Sequence, residues 1–239
     1  MTAPQSMPLL EIHGLRKSYR LPDGSTHDVL DIPHFTLDAG EEVALEGSSG
    51  SGKTTLLHTI AGILRPDAGS VRLCGTDVFA LSEAQRDTFR ARTIGYVFQS
   101  FHLLAAYTAL ENVLLGMAFG RGPDRAFARS LLADLDLGDR LDHRPAQLSI
   151  GQRQRVAVAR ALAARPRLVL ADEPTGNLDR QRARDALALM RELCARQDAA
   201  LLVVSHDQEV LAGFERRIAL AELSRQPAPR GRAGAREGA

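Results

Sequence analysis

The sequence is 239 residues long, with 44% hydrophobic and 25% charged residues, which is typical of a folded globular chain and excludes disorder as its main state. Thirty basic residues stand against 29 acidic ones, and a net charge of +1 argues against a dedicated nucleic-acid binder. The first residues lack the basic and apolar regions of a secretory signal. The longest nearly apolar run, 103–119, contains Glu111 and Asn112 and is shorter than the roughly 20 residues that span a bilayer. We therefore expect a cytoplasmic chain, at most peripheral to a membrane.

The positions of the cysteines and lysines limit the kinds of site that the chain can form. Cys74 and Cys194 are far apart and in no metal-ligand spacing, so we expect reduced thiols, no disulfide and no structural metal. Only two of the thirty basic residues are lysines, Lys17 and Lys53. A lysine in such an arginine-rich chain points to chemistry that a guanidinium group cannot perform.

The first elements in chain order are short β-like runs at 9–13, 28–37 and 42–46, with the turn sequence LPDG between the first two. These runs predict a small antiparallel β lobe. From Gly47 onward the order becomes loop, helix, strand, a long helical middle, and then strand and helix in alternation. Such an order is typical of a parallel sheet covered by helices.

The middle of the chain, from about 100 to 165, contains three helix-like stretches and little β signal, which predicts an inserted helical lobe. After it, the apolar runs 168–171 and 201–204 predict buried parallel strands, with a crossover helix between them that Asp179 caps. Residues 224–239 are rich in Arg, Ala, Gly and Pro, and we expect a disordered tail there.

The strongest motif is GSSGSGKTT, which satisfies G-x-x-x-x-G-K-[ST] directly after an apolar strand and directly before a helix-like run, 54–63. Its glycines let successive N–H groups point into one concavity, where a triphosphate fits at the helix N-terminus. Lys53 would reach the β- and γ-phosphates, and the Thr54 hydroxyl would ligate Mg²⁺. The alternative is a simple Gly/Ser-rich turn. The predicted phosphate-binding residues are Gly47, Ser48, Ser49, Gly50, Ser51, Gly52, Lys53, Thr54 and Thr55.

A second motif, LVLADE, is a buried strand that ends in two carboxylates. Asp172 would lie beside the Mg²⁺, and Glu173 would accept a proton from an attacking water. Taken alone, the same residues could be a strand followed by a capped turn. Together with the phosphate loop, they predict a P-loop ATPase.

Further motifs follow in a fixed order. Gln99 comes after a predicted strand at 94–98, LSIGQ precedes an Arg-rich helix, GNLD follows DEPT, and His206 follows the run 201–204. This order resembles that of the ABC ATPases over nearly the whole chain. The resemblance implies an ABC ATPase domain over 9–223 with a helical subdomain at about 100–165. It further implies an α/β P-loop NTPase (RecA-like) core with an N-terminal antiparallel β subdomain and an inserted α-helical subdomain, with ATP and Mg²⁺ as cofactors.

The resemblance also assigns roles to single residues. Tyr19 would stack on adenine, Gln99 would sense the γ-phosphate and Mg²⁺, and His206 would contact the γ-phosphate beside Glu173. Asp179 would belong to a loop that crosses a dimer interface. The residues that would contact the γ-phosphate held by the opposite subunit are Ser149, Gly151 and Gln152. The resemblance therefore implies a homodimer in the ATP-bound state.

One residue departs from the family pattern. Ile150 stands where most members have glycine, and a β-branched side chain is penalised at positive φ. We expect the backbone to stay in an ordinary region there, with the helix start intact. The alternative is a weaker γ-phosphate contact, which would affect turnover more than ATP binding.

An apolar cluster follows Gln99 in the sequence and is formed by Phe101, Leu103, Leu104 and Tyr107. It is either part of the helical core or the wall of a groove for a segment of a membrane partner. The sequences FQSFHLL, TALENV and LADEPTGNLD resemble the branch that serves lipoprotein release, macrolide export and a cell-division complex. That resemblance implies integral membrane permease subunits as partners and a place on the inner face of the cell membrane.

Two alternatives remain at this level. A regulatory ABC ATPase that drives a cell-wall or division complex through a permease-like partner would share every motif. An ABC protein of translation or DNA repair usually has two motif sets or a long coiled-coil insertion, and this sequence contains neither. The transported substance would be contacted by the partner, so these residues do not name it.

Overall fold

The structure is a computed structural model that describes residues 7–120 and 122–225. Four strands form a sheet in the order β2-β1-β4-β5, and every pair in it is antiparallel. The strands are β1 (Leu10–Arg20), β2 (Thr26–Leu37), β4 (Ala68–Leu73) and β5 (Thr76–Asp77). On β1 the side chains of Leu10, Ile12 and Leu15 are buried, while its polar residues face outward.

The second sheet has five strands in the order β6-β7-β8-β3-β9, all parallel. They are β3 (Glu42–Glu46), β6 (Ile94–Val97), β7 (Leu168–Asp172), β8 (Ala200–Ser205) and β9 (Arg216–Ala219). Every residue of β7 and β8 is buried, as expected of parallel strands with both faces covered. The expectation that 42–46 belongs to the antiparallel lobe was wrong, because this run is an inner strand of the parallel sheet.

Eight α-helices are present in the described part of the chain. They are α1 (Lys53–Ile60), α2 (Glu83–Thr93), α3 (Ala109–Ala118), α4 (Arg125–Asp134), α5 (Ile150–Leu162), α6 (Arg180–Arg196), α7 (Gln208–Leu211) and α8 (Leu220–Leu223), with a 3₁₀ turn at Pro145–Gln147. The helices α3, α4 and α5 lie between β6 and β7 in the sequence and pack against one another. At Gly116 an added Cβ would lie only 2.4 Å from the Arg160 carbonyl oxygen, so α3 and α5 are in close contact.

The parallel sheet separates two apolar cores. Val169 and Val203 face a core that the helices α3 to α6 share, whereas Leu170 and Leu202 face a core shared with α1 and the antiparallel sheet. The alternation of neighbouring strand residues between the two cores follows from the two-residue period of a strand. This arrangement confirms the predicted fold class, with an α/β core, an antiparallel β subdomain and a helical subdomain.

The end of the described chain returns to β2. The Asp31 N–H donates to the Ser224 hydroxyl at 3.0 Å, and the Arg225 N–H donates to the Asp31 carbonyl at 2.8 Å. The remainder of the predicted tail, 226–239, lies outside the described residues. Among the helices described, none combines the length and the apolar character that crossing a bilayer requires.

Candidate nucleotide-binding site

The carboxyl ends of four parallel strands meet at one edge of the sheet, and the predicted site residues follow these ends. The GSSGSGKTT loop comes after β3, Gln99 after β6, Glu173 after β7 and His206 after β8. In open α/β sheets, ligands bind in the crevice outside this edge. Topology alone therefore brings residues together that are more than a hundred positions apart in the sequence.

The phosphate loop curls because two of its glycines adopt conformations that other residues avoid. Gly50 has φ 78° and Gly52 has φ 95°, both in the left-handed region. At Gly52 an added Cβ would also lie 2.8 Å from the Val29 side chain, so there is no room for a larger residue. The curl leads directly into α1, whose free N–H groups and positive dipole end face the same crevice.

Lys53 is buried inside this loop. Its Nζ donates to the carbonyl oxygens of Gly47 at 2.5 Å and Ser48 at 2.9 Å, and it lies 3.2 Å from the Glu173 carboxylate. The side chain is only 8% exposed, so its charge sits in a region that water screens poorly. The ammonium group is thus fixed at the centre of the crevice, with the loop wrapped around it.

Thr54 and Asp172 form a pair of oxygen donors beside the lysine. The Thr54 hydroxyl donates to the Asp172 carboxylate at 2.7 Å. Burial raises the pKa of Asp172, the Thr54 hydroxyl opposes the rise, and the neighbouring Glu173 charge adds to it. A hydroxyl and a carboxylate side by side are hard oxygen ligands of the kind that Mg²⁺ prefers.

Glu173 is held at the end of β7 in an unusual conformation. Its φ of 44° lies in the left-handed region, and its N–H donates to the Val204 carbonyl at 3.0 Å. Its carboxylate accepts from the Ser205 hydroxyl at 3.0 Å and lies 2.7 Å from His206 Nδ1. Backbone strain of this kind is typical of positions that the surrounding structure constrains for function.

The pKa of Glu173 is lowered although the residue is buried. Burial alone raises it, but hydrogen bonds from His206, Lys53 and Ser205 and the charge of Lys53 outweigh burial. The carboxylate is therefore ionised at neutral pH, and an ionised carboxylate is able to accept a proton.

These residues surround one cavity of about 390 Å³. Tyr19 lies at its rim, 42% exposed, with its hydroxyl oxygen 3.5 Å from the Thr55 hydroxyl oxygen. The lining residues are Tyr19, His27, Val29, Ser49, Gly50, Ser51, Gly52, Lys53, Thr54, Thr55, Gln99, Asp172, Glu173 and His206. Gly47 and Ser48 do not line the cavity, but they hold Lys53 through their carbonyl oxygens.

Ser149, Gly151 and Gln152 lie elsewhere. They line a separate cavity of about 240 Å³ at the N-terminus of α5, together with Leu178 and residues of α6. Ser149 caps α5, since its hydroxyl accepts from the Gln152 N–H while the Gln152 side chain accepts from the Ser149 N–H. Within one chain, the structure does not bring these residues to the crevice of the phosphate loop.

The comparisons with known proteins agree with this geometry. The family model described as "ABC transporter" matches residues 30–176. The chain belongs to this family. An ABC transporter cassette of solved structure, the dimeric MJ0796 described as bacterial, superposes with a TM-score of 0.80 at 35% identity over 88% of this chain and 93% of that one. A second structure of MJ0796, a post-hydrolysis state bound to ADP and Pi, superposes with a TM-score of 0.78. As an ABC cassette, the chain is an ATPase.

Two curated relatives indicate which branch of the ABC family this chain resembles. The lipoprotein-releasing system ATP-binding protein LolD of Anaeromyxobacter dehalogenans is 47% identical over 93% of this chain and 94% of its own length. The macrolide export ATP-binding/permease protein MacB of Rhodopirellula baltica is also 47% identical, over 84% of this chain. The chain spans only 30% of MacB. The resemblance to the lipoprotein-release and macrolide-export branch is confirmed by these relatives.

The departure at Ile150 from the ABC pattern leaves the helix start intact, as expected. Ile150 is the first residue of α5, is 43% exposed, and is absent from the residues with positive φ in the described chain. An ordinary backbone there accommodates a β-branched side chain without strain.

The polar residues of this site that were not predicted from the sequence are His27, which lines the cavity, Ser205 and Asn177. Ser205 is buried and donates to Glu173, and Asn177 donates to the Gln99 carbonyl at 2.8 Å. Ser205 directly precedes His206 at the end of a buried strand, so its position offered a signal. Asn177 belongs to the GNLD motif, but its contact with Gln99 depends on how two loops meet in space, which a motif does not encode.

Proposed function

We propose that this chain is the ATP-binding and ATP-hydrolysing subunit of a transporter of the lipoprotein-release or macrolide-export kind, and that it energises separate membrane permease subunits. The observation that carries the proposal is the convergence of Lys53, Asp172 and Glu173 on one crevice. These groups supply a cation for phosphate oxygens, an oxygen ligand and a proton acceptor.

Each group has a distinct task in this proposal. The loop N–H groups and Lys53 bind the β- and γ-phosphates, and Tyr19 stacks on the base with its exposed ring face. Glu173 takes a proton from the water that attacks the γ-phosphate, and His206, 2.7 Å from Glu173, contacts the same phosphate. Because Lys53 contacts Glu173 at 3.2 Å, phosphate binding and the proton acceptor are electrostatically linked.

The oxygen atoms beside Lys53 fit a magnesium ion. Thr54, Asp172 and the amide oxygen of Gln99 offer the hard oxygen donors this ion selects. When bound, Mg²⁺ neutralises charge on the phosphates. We assign the three side chains to its site.

The separate position of Ser149, Gly151 and Gln152 supports a homodimer in the ATP-bound state. Because these residues lie away from the crevice of their own chain, they are available to close the crevice of a second copy. The relative MJ0796 is described as dimeric. In this arrangement each nucleotide is held between the phosphate loop of one protomer and the α5 N-terminus of its partner.

The permease contact is proposed at the segment after Gln99. Leu104 and Tyr107 are 48% and 42% exposed, whereas Leu103 packs against the helical core. The two exposed side chains place an apolar surface on the segment that follows Gln99 in the chain. Through this contact the chain would lie peripherally on the inner face of the cell membrane.

The replacement Glu173→Gln tests the catalytic proposal. The amide retains the size of the side chain but cannot act as the proton acceptor, so ATP binding should persist while turnover falls by about 10²- to 10⁴-fold. The variant should also accumulate as an ATP-bound dimer, because hydrolysis no longer opens it. The measurements are steady-state phosphate release and size-exclusion chromatography with light scattering in MgATP.

The matched control is Glu192→Gln, an exposed carboxylate on α6 that pairs with Arg196. It should hydrolyse ATP like the unmodified chain and should not accumulate as a dimer. A Glu173→Gln chain with native turnover that remains monomeric in MgATP would exclude both roles proposed for this residue.

A further inference from the structure

Two histidines face each other on the antiparallel sheet, outside the nucleotide crevice. His13 on β1 and His34 on β2 are direct cross-strand partners. Both are exposed, and their Nδ1 atoms are 3.3 Å apart. Because antiparallel pairing fixes the two backbones, it also fixes the distance between the Cβ atoms of the two histidines.

The Nδ1 atoms of the two rings lie close to each other. The ring centroids are 4.8 Å apart, which is farther than the two Nδ1 atoms, and the ring planes are tilted by 39°. The two nitrogens are therefore closer to each other than the ring centres are, and the rings are tilted and not stacked face to face. In tetrahedral zinc sites the Zn–N bonds are about 2.0–2.1 Å, which separates two ligand nitrogens by about 3.3 Å. The observed distance matches this value.

A carboxylate supports the ring of His13. Its Nε2 lies 3.4 Å from the Glu11 carboxylate, on the same face of β1. When Nε2–H donates to a carboxylate, the neutral ring carries its lone pair on Nδ1. Nδ1 is the atom that faces His34. The contact thus selects the tautomer that a metal needs and orients the ring.

We infer that His13 and His34 form a binding site for a divalent transition-metal ion of the zinc class, with Glu11 orienting the first ligand. Imidazole nitrogens suit Zn²⁺, Ni²⁺ and Cu²⁺ and do not suit Mg²⁺ or Ca²⁺. The protein supplies two nitrogen ligands, and water molecules occupy the remaining coordination positions. The ion joins β1 to β2 and stabilises their pairing.

The site is independent of the nucleotide function. None of its three residues lines the nucleotide cavity. His13 is six residues from Tyr19 on β1, which corresponds to about 20 Å along a strand. Failure of one proposal therefore leaves the other unaffected.

The test is calorimetric titration of the full chain with zinc chloride, without nucleotide and without a polyhistidine tag. The unmodified chain should bind one Zn²⁺ at this site. His13→Gln and His34→Gln should each weaken this binding at least tenfold, because one ligand is lost. Glu11→Gln should weaken it by about tenfold, since the orienting carboxylate is lost while both ligands remain.

The matched control is His27→Gln, which removes an exposed histidine from the same strand β2 and should leave Zn²⁺ affinity unchanged. Thermal unfolding gives a second measurement: Zn²⁺ should raise the melting temperature of the unmodified chain and of His27→Gln but not of the two ligand variants. Because the three histidines are exposed and Glu11→Gln retains the size of its side chain, the variants should melt at the temperature of the unmodified chain when Zn²⁺ is absent. Equal Zn²⁺ affinity in the unmodified chain and in His34→Gln would overturn the inference and leave a simple hydrogen-bonded pair.

Discussion

Asp172 and Glu173 are adjacent in the sequence, but their pKa values move in opposite directions. Burial dominates at Asp172 and raises its pKa, so its charged form is held in the folded state at a cost. At Glu173 the hydrogen bonds from His206, Lys53 and Ser205 outweigh burial and lower the pKa. The contributions of these two neighbouring carboxyl groups to the free energy of unfolding therefore depend on pH in opposite directions.

This difference predicts the behaviour of Asp172→Asn. Because the pKa of Asp172 is raised in the folded state, the ionised carboxylate destabilises the fold at pH values above that pKa. This destabilisation decreases as the pH falls through the folded-state pKa toward the ordinary value of 3.8. The neutral amide carries no such penalty and still accepts from Thr54. Asp172→Asn should therefore melt at a higher temperature than the unmodified chain at pH 7 to 8, with a gap that closes in acid.

The matched control is Asp67→Asn, for which the sign is reversed. A hydrogen bond from Lys17 at 2.7 Å is the main cause that lowers the pKa of Asp67. The ionised form thus stabilises the fold above the ordinary value, and this contribution is lost as the pH falls through the lowered pKa. Asp67→Asn should melt below the unmodified chain at pH 7. Melting curves for both variants that shift alike with pH would contradict the assignment.

At the scale of elements, the segment between β6 and α3 is held by buried polar contacts. The buried amide of Asn112 donates to the carbonyl oxygens of Leu104, Tyr107 and Thr108 at 3.2, 3.1 and 2.9 Å, and its oxygen accepts from the Leu104 N–H at 2.8 Å. Nearby, the Arg160 guanidinium donates to two consecutive carbonyl oxygens at 2.6 Å. Those carbonyls belong to Phe101 and His102, which both have positive φ. The surface proposed for the permease is thus shaped by α3 and α5.

Asn112→Ala should therefore destabilise the fold by about 2–3 kcal/mol, because it leaves several backbone groups without their partner. Urea unfolding followed by circular dichroism measures this change. The control on the same helix is Glu111→Gln, since a glutamine can still accept from the Thr108 N–H in the capping box. If Asn112→Ala unfolds at the same urea concentration as Glu111→Gln, the buried amide does not hold the segment.

The elements that the sequence predicted are those with a clear apolar pattern or a motif. The strands β7 and β8 are continuous apolar runs, and Asp179 caps α6 by accepting from the Arg182 N–H at 3.0 Å. By contrast, α2 has no buried residue, so apolar periodicity could not reveal it. This helix was not predicted from the sequence, although a capping box of Ser82 and Gln85 marks its start.

The sheet that a strand joins was harder to predict than the strand itself. The run that forms β3 was placed with its sequence neighbours, but it lies between β8 and β9, which follow more than 150 residues later. Pairing of this kind is decided by long-range packing, which local sequence does not encode. In the same way, the motifs indicated residues that the fold brings to one cavity, whereas the contact between Lys53 and Glu173 became visible only in the fold.

At the scale of the whole molecule, the proposed permease surface can be tested against the core interpretation. Replacing Leu104 and Tyr107 together by serine should weaken co-purification with the permease by about thirtyfold, since truncating a central aromatic residue commonly costs about 2 kcal/mol. Basal ATPase activity and thermal stability should be unchanged, because both side chains are exposed. Pull-down, phosphate release and thermal unfolding are measured on the same protein.

The control is Phe119→Ser, which removes another exposed aromatic side chain, 79% exposed, from the end of α3. It should leave permease binding intact. A double variant that melts early and loses its basal activity would place Leu104 and Tyr107 in the core and rule out the permease contact.

The buried position of Lys53 has a consequence for chemical labelling. Apart from the N-terminal amine, the 239 residues contain only two amines, those of Lys17 and Lys53. An acetylating reagent therefore gives two lysine adducts, on peptides that mass spectrometry separates easily. Nucleotide bound in the phosphate loop should slow acetylation of Lys53, while Lys17, paired with Asp67 on the antiparallel sheet, reacts at an unchanged rate and serves as an internal reference. The scarcity of lysine thus makes the unmodified chain its own reporter of ATP occupancy, readable in a mixture with the proposed permease and without any introduced label.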